Sequence, residues 1–307
     1  MTLPPRSTVL VTGANGLVGS RVAARLAQEG HAVVATGRGQ RREPIADLPG
    51  IEYLEADLAR PGALRSAVER KGPRAVVHCG ALTDVDACER DPAQAWAVNV
   101  SATAEIAAAA RTVGARLVSL STDYVFDGEA GRSYTEDDRT NPRGVYARTK
   151  RAAEEAALLL GGDVAVARVS LVYGGRKGSR PTFAATAADA LLAGKEVKAF
   201  SDQINSPTLA DNAAEMVVGL LQSGEQGIWH CSGATAVTRA DFARALARIL
   251  GAPEALVAAV PMASIGLAAP RPSNSSLRVD KIRRLLGSAV PLDLHAQLER
   301  FARERAR

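Results

Sequence analysis

The stretch TVLVTGANGLVGSRVAARLAQEG, residues 8–30, decides the fold. It begins as an apolar run suited to a strand, carries glycines at 13, 16 and 19, and continues with apolar residues at helical spacing. A strand that passes through a glycine loop into a helix opens a βαβ unit. Gly13 permits the tight turn, Gly16 lets backbone approach a pyrophosphate, and Gly19 lets helix pack closely on strand. Phosphates then meet the positive end of the helix dipole. The loop residues Gly13, Asn15, Gly16, Leu17 and Val18 are therefore candidate cofactor contacts. A purely structural turn has the same spelling, but its place directly after the first strand favours a dinucleotide.

Outward from this unit, short apolar runs alternate with Ala-rich helical stretches as far as residue 170. The candidate strands are 8–13, 31–36, 51–56, 74–79, 116–121 and 163–170. Strands apolar on both faces, alternating with helices, predict a doubly wound α/β domain with a parallel (Rossmann) sheet and right-handed crossovers. Beyond 170 the alternation gives way to Gly, Pro and Asn punctuation (YGGRKGSRP, DQINSPT, RPSNSS), with helices expected near 181–193, 209–222, 238–249 and 292–305. The expected division is a dinucleotide-binding domain over 1–170 and a smaller, mainly substrate-binding lobe over 171–307. The lobe is placed at the carboxyl edge of the sheet, where ligands of such folds bind.

Composition narrows the function. Of 307 residues, 47% are hydrophobic and 23% charged, as in ordinary globular chains. No apolar run reaches membrane-spanning length and no signal peptide is evident, so no membrane partner is expected. Cys79, Cys88 and Cys231 are odd in number and lack metal spacing, which favours a reducing cytoplasm and no metal site. Glu299 and its neighbours on the last helix read as a solvated face. The net charge of +5 is spread along the chain without a basic stripe or interleaved aromatics, so no nucleic-acid partner is expected. The substrate is expected to be a small molecule; a homodimer is compatible with the sequence.

The end of the second strand bears on cofactor choice. An NAD-selective site wants a carboxylate there for the ribose hydroxyls, and none occurs before Glu43. Arg38 instead offers a bidentate fork for a 2′-phosphate, while Arg41 and Arg42 read as loop solvation. NADP(H) is expected, with NAD(H) use left open.

In GVYARTK, 144–150, Tyr146 precedes Lys150 by one helical turn, and the chain spells only six lysines among 38 basic residues. A phenol loses its proton near pH 10, and an ammonium one turn away is expected to bring it toward working pH. A compact ammonium also suits the hydroxyls of a nicotinamide ribose, which explains why Arg does not stand here. STDYVFDG, 121–128, follows the fifth strand and places the Ser121 and Thr122 hydroxyls at the sheet edge, where one can bind a substrate carbonyl. Thr122, Tyr146 and Lys150 are thus the candidate catalytic residues.

With these motifs together, the chain resembles the extended short-chain dehydrogenase/reductase superfamily, and within it the dTDP-4-dehydrorhamnose reductase family. The resemblance rests on TGANGLVG, HCGALTDVDACE, Val98-Asn99, STDYVFDG, NPRGVYARTK, RVSLVYG, DQINSPT and RPSNSSL. It implies an NADPH-dependent reductase of a keto group on a nucleotide-linked deoxysugar, with Tyr146 as proton donor and Lys150 as ribose ligand. Asn99 would support a proton relay, Asp57 and Leu58 would flank the adenine, and Gly80 and Ala81 would line the cofactor path. Thr83, Asp123, Tyr124 and Leu171 would face the substrate. Rhamnose-forming members typically carry Trp where this chain has Leu171, and read Asn-Phe where it has Thr182-Phe183. The lost aromatic removes stacking area and a polar handle. The same family includes a non-catalytic branch, resembling the methionine adenosyltransferase β subunit, and the superfamily includes sugar-nucleotide epimerases. The catalytic trio favours the reductase over the first, and Arg38 with Tyr124 favours it over the second. Related dehydratases place Glu at the position of Tyr124.

Overall fold

The computed structural model describes residues 3–42, 45, 48–175, 181–287 and 290–305. Seven parallel strands form the central sheet: β1 (Thr8–Thr12), β2 (Ala32–Gly37), β3 (Ile51–Glu55), β4 (Ala75–His78), β5 (Arg116–Thr122), β6 (Val164–Val169) and β7 (Gly227–His230). Their spatial order is β7-β6-β5-β4-β1-β2-β3. The order reverses between β1 and β4, which opens a crevice at their carboxyl ends. All six sequence-read strands are present, because Val, Leu and Ala supply most of their buried faces.

Helices α1 (Leu17–Gln28), α2 (Ala63–Lys71), α3 (Val85–Arg90), α4 (Pro92–Trp96), α5 (Ala102–Thr112) and α6 (Gly144–Leu160) connect these strands. α2, α5 and α6 bury alanines against one sheet face, around Leu10, Val76 and Leu117. The short residues let helix backbones approach the sheet closely, which suits a chain poor in aromatics. A π-helical turn, Ala97–Ser101, joins α4 to α5 and carries Asn99. Such turns recur at functional sites.

The second half contributes α7 (Phe183–Leu192), α8 (Ala210–Ser223), α9 (Arg239–Ile249), α10 (Asp280–Leu286) and α11 (Leu294–Arg305). The boundary at 170 needs correction. α8 joins α1 on the other sheet face through Ala214, Met216, Val217 and Leu221, and β7 adds an edge strand beside β6. The sheet layer thus draws on residues well beyond 170. The reason is packing: α1 alone leaves β5 and β6 uncovered. The lobe proper has its own core, in which Tyr173, Phe242 and Phe301 meet edge to face among α7, α9 and α11.

Candidate active site

The glycine loop is held by backbone geometry. Gly13 has φ +63°, and a Cβ there would lie 2.7 Å from the Gly80 backbone. A Cβ on Gly19 would lie 2.3 Å from Gly13 O, so helix and turn touch with no room for a side chain. Gly16 N–H donates to Gly13 O at 2.7 Å and α1 opens with no acidic residue in its first turn. The first N–H groups of α1, at Leu17 and Val18, have no acceptor within their own helix and suit a phosphate. Asn15 does something else: its amide donates to Arg38 O, Gln40 O and Tyr53 Oη and accepts from Arg42 N–H. That side chain fastens the loop after β2.

At the end of β2, Arg38 is exposed and its guanidinium has no partner among the described residues, which leaves it available to a 2′-phosphate. Arg41 is not a solvated residue as expected; it donates to the carbonyls of Ile45, Leu48 and Ile51 and ties the loop to β3. Glu43 lies outside the described residues. Asp57 is exposed and accepts from Ala59 N–H, while Leu58 packs against Gly80. These residues fit a dinucleotide stretched across β1, β2 and β4.

Beneath the loop runs a buried polar chain that the sequence reading missed. Thr12 Oγ1 meets His78 Nδ1 at 2.6 Å, and His78 Nε2 meets Thr103 Oγ1 at 3.0 Å. Gly80 N–H donates to Thr12, and Thr103 donates to Asn99 O. One direction satisfies every link: Thr12 donates to Nδ1, and Nε2–H donates to Thr103. Burial drives the His78 pKa down to about 3, with the Lys150 charge adding to the fall, so the ring is neutral and the chain stays intact. It fixes the Gly80–Ala81 backbone that faces Gly13. The amide of Asn99 is fully spent, accepting from Leu82 N–H and donating to Leu82 O and Thr149 Oγ1. Its side chain therefore holds the loop after β4 against α6.

Tyr146 lies beside the Thr122 hydroxyl, and Lys150, one turn further along α6, reaches the end of β5 at Leu120. Tyr146 is buried, and burial pushes its phenol pKa well above the ordinary range, with the neighbouring Thr122 hydroxyl offsetting part of the rise. Lys150 is buried too, donating from Nζ to Leu120 O at 2.8 Å. Burial lowers its pKa to about 8, against the opposing pull of Glu154 and Cys79. Desolvation dominates the phenol and acts opposite to the lowering expected from the ammonium. The consequence is a phenol that remains protonated at neutral pH, the form that donates. Thr122 ends β5, accepts from Tyr124 N–H and donates to Asp123 Oδ1. Ser121 Oγ is buried without a hydrogen-bond partner.

Asp123 has a structural place as well. It is buried, and its carboxylate accepts from Thr122, Ser170, Ser275 and, at the limit of reach, Asn205. It ties the ends of β5 and β6 to the lobe. Tyr124 is half-buried, meets Tyr146 edge-on with centroids 6.1 Å apart, and accepts from Gln203 Nε2. Thr83 is exposed on the loop after β4. Leu171 follows β6 with φ +37°, a conformation unfavourable for a branched side chain, which marks this turn as strained. Thr182 caps α7, and the Phe183 ring lies under Arg239. Glu299 pairs with His295 and Arg303 on a solvated face, all three being exposed.

The comparisons with known proteins follow the same lines. The chain is 38% identical over 281 residues to the dTDP-4-dehydrorhamnose reductase of Streptomyces griseus, covering 89% of this chain and 86% of that one. It is 35% identical to a probable low-salt glycan biosynthesis reductase of Haloferax volcanii, covering 92% and 93%. Among solved structures, dTDP-4-dehydrorhamnose reductase from Bacillus anthracis in complex with NADP superposes with a TM-score of 0.84 at 27% identity, over 97% of this chain and 99% of that one. The model of the RmlD substrate binding domain matches residues 7–305, and the chain belongs to that family.

Proposed function

We propose that this protein reduces a keto group on a dTDP-linked deoxysugar, with NADPH as reductant and Tyr146 as proton donor. The observation that carries the reading is a buried phenol beside the Thr122 hydroxyl, at the carboxyl edge of a sheet whose glycine loop fits a dinucleotide. NADPH, when bound, supplies the hydride to the carbonyl carbon. Thr122 and Tyr146 hold the carbonyl oxygen, and the phenolic proton passes to it as the C–H bond forms. Lys150 then stabilises the phenolate until it is reprotonated. The relatives named as dTDP-sugar reductases support the substrate class, and the NADP complex supports the cofactor, with NAD(H) a second candidate. The three cysteines are free thiols, which suits a reducing cytoplasm. Among the described residues no helix is long and apolar enough to cross a membrane. Exposed Leu158, Leu159 and Leu160 on α6, with Trp96 on α4, favour a homodimer, and a single monomeric species in light scattering would exclude one.

The test is turnover of NADPH with dTDP-4-keto sugars. Tyr146→Phe should lower kcat by a factor of about 10² to 10⁴, the range for general acid catalysis, and leave NADPH affinity unchanged. A wild-type rate in that variant would overturn the assignment of the phenol and favour a cofactor-binding protein without turnover.

A further inference from the structure

Among the described residues, the Lys150 ammonium makes one hydrogen bond, to the neutral Leu120 O, and no ion pair. It is buried, and a carbonyl offsets only part of the cost of desolvating a charge. An opposing charge stands one turn further along. Glu154 follows Lys150 by four residues on α6, and both belong to the buried face of that helix. Arg168 of β6 grips the Glu154 carboxylate with two parallel bonds, Nε to Oε1 and Nη2 to Oε2, each 2.8 Å, and both side chains are 1% exposed. The Phe126 ring backs the guanidinium at 5.0 Å. The pair has a direction. The carboxylate favours charge on Lys150, while the guanidinium opposes charge on His230, its register partner on β7. The negative end therefore acts on the lysine, and the positive end acts toward the edge strand. A buried ion pair is weak support for stability, since apolar residues of like volume often do as well. A directed field on a neighbouring group gives such a pair a use.

We propose that Glu154 is a positioning residue: clamped by Arg168, it keeps the Lys150 ammonium charged for the cofactor ribose. The proposal rests on the reading of Lys150 as ribose ligand. The other titratable groups around the ammonium offer no substitute. On β4, burial keeps the Cys79 thiol protonated and the His78 ring neutral. Tyr146, one turn back on α6, is a protonated phenol, and the Asp123 charge acts on that phenol. Arg151 lies 3.9 Å from the Glu154 carboxylate but pairs more closely with Glu155, at 3.0 Å. Glu154 is thus the carboxylate whose field reaches Lys150, and the grip of Arg168 stops it from swinging away.

The pH profile of NADPH affinity tests this, with circular dichroism as the check on folding. In the wild type the affinity should fall through about pH 8. The double variant Glu154→Gln with Arg168→Met removes both charges and leaves neither ion unpaired. Its fall should come about one pH unit lower, the small end of the effect of a nearby opposite charge, because Arg168 cancels part of the field. One ionisation displaced by that much weakens NADPH about fivefold at about pH 8 and hardly at all at about pH 6. Glu154→Asp keeps the charge and should keep the wild-type profile. If the double variant does not fold, Arg168→Met alone gives the reading: the carboxylate keeps its charge and loses its counterion, so the fall should move to higher pH. An unmoved fall in whichever of these variants folds, or an equal loss of affinity at both pH values, would make Glu154 structural only and overturn the proposal. A wild-type affinity independent of pH would instead remove the ribose reading on which it rests.

Discussion

Lys150 is the residue whose setting governs the chemistry most closely. Its ammonium is buried against Leu120 O, and burial brings its pKa down to about 8. A cation is therefore present at neutral pH and disappears as pH rises through about 8. NADPH affinity, measured by fluorescence titration, should fall across that interval, because the ribose loses a charged donor. Lys150→Arg should abolish that fall, since guanidinium stays charged, yet bind the ribose less well at pH 7. A pH-independent NADPH affinity in the wild type would show that the ammonium does not hold the ribose.

Leu171 states the complementary case, in which backbone strain points to use. A residue with φ +37° gains from glycine, yet leucine is retained. Leu171→Gly should leave stability within about 1 kcal/mol, the relief of strain offsetting the lost apolar contact. Leu171→Val, β-branched and worse at positive φ, should cost about 1–2 kcal/mol. Both should raise KM for the sugar substrate. Urea denaturation gives the order, and a valine variant more stable than the glycine variant would mean that no strain is stored there.

Among elements, the junction of β5, β6 and the lobe depends on Asp123. Thr122, Ser170, Ser275 and Asn205 all donate to one carboxylate, so an amide in its place would set N–H groups against donors. Asp123→Asn should destabilise by about 3 kcal/mol, in line with losing charged hydrogen bonds, and lower activity through Thr122 and Tyr124. Retention of wild-type thermal stability would remove Asp123 from this role. Nothing local in STDYVFDG reveals such a hub, because its donors come from residues distant in sequence. The glycine loop and six strands were legible for the opposite reason: their signal is contained in a dozen residues. GIWH, residues 227–230, hid the seventh strand because four residues, two half-buried and then two buried, show no periodicity. Glu154 was equally silent, one acid beside Glu155 on α6, until Arg168 was placed against it.

For the molecule as a whole, two buried imidazoles set an acid limit. His78 and His230 both have pKa values driven down to about 3, chiefly by burial. Below the ordinary value near 6.5 the unfolded chain takes up two protons that the folded one refuses, so stability falls as pH falls. Each contributes up to about 1.4 kcal/mol per pH unit, or together about 3–4 kcal/mol between pH 6.5 and 5. The urea midpoint should drop over that range, above most carboxylate titration. A flat midpoint would mean that both rings are accessible to protons in the native state.

The late arrival of β7 gives a schedule to the making of this protein. On the ribosome, β6 is complete long before the strand that will cover its edge emerges, and α8 is likewise missing from the sheet face it shares with α1. At about 5–20 residues per second, the interval lasts on the order of several seconds. Throughout it the nascent chain presents an unpaired, Val- and Ala-rich edge, the kind of template that pairs with a neighbouring chain. The hazard is therefore greatest during synthesis, and chaperone dependence should be decided before residue 230 leaves the ribosome rather than by the finished fold.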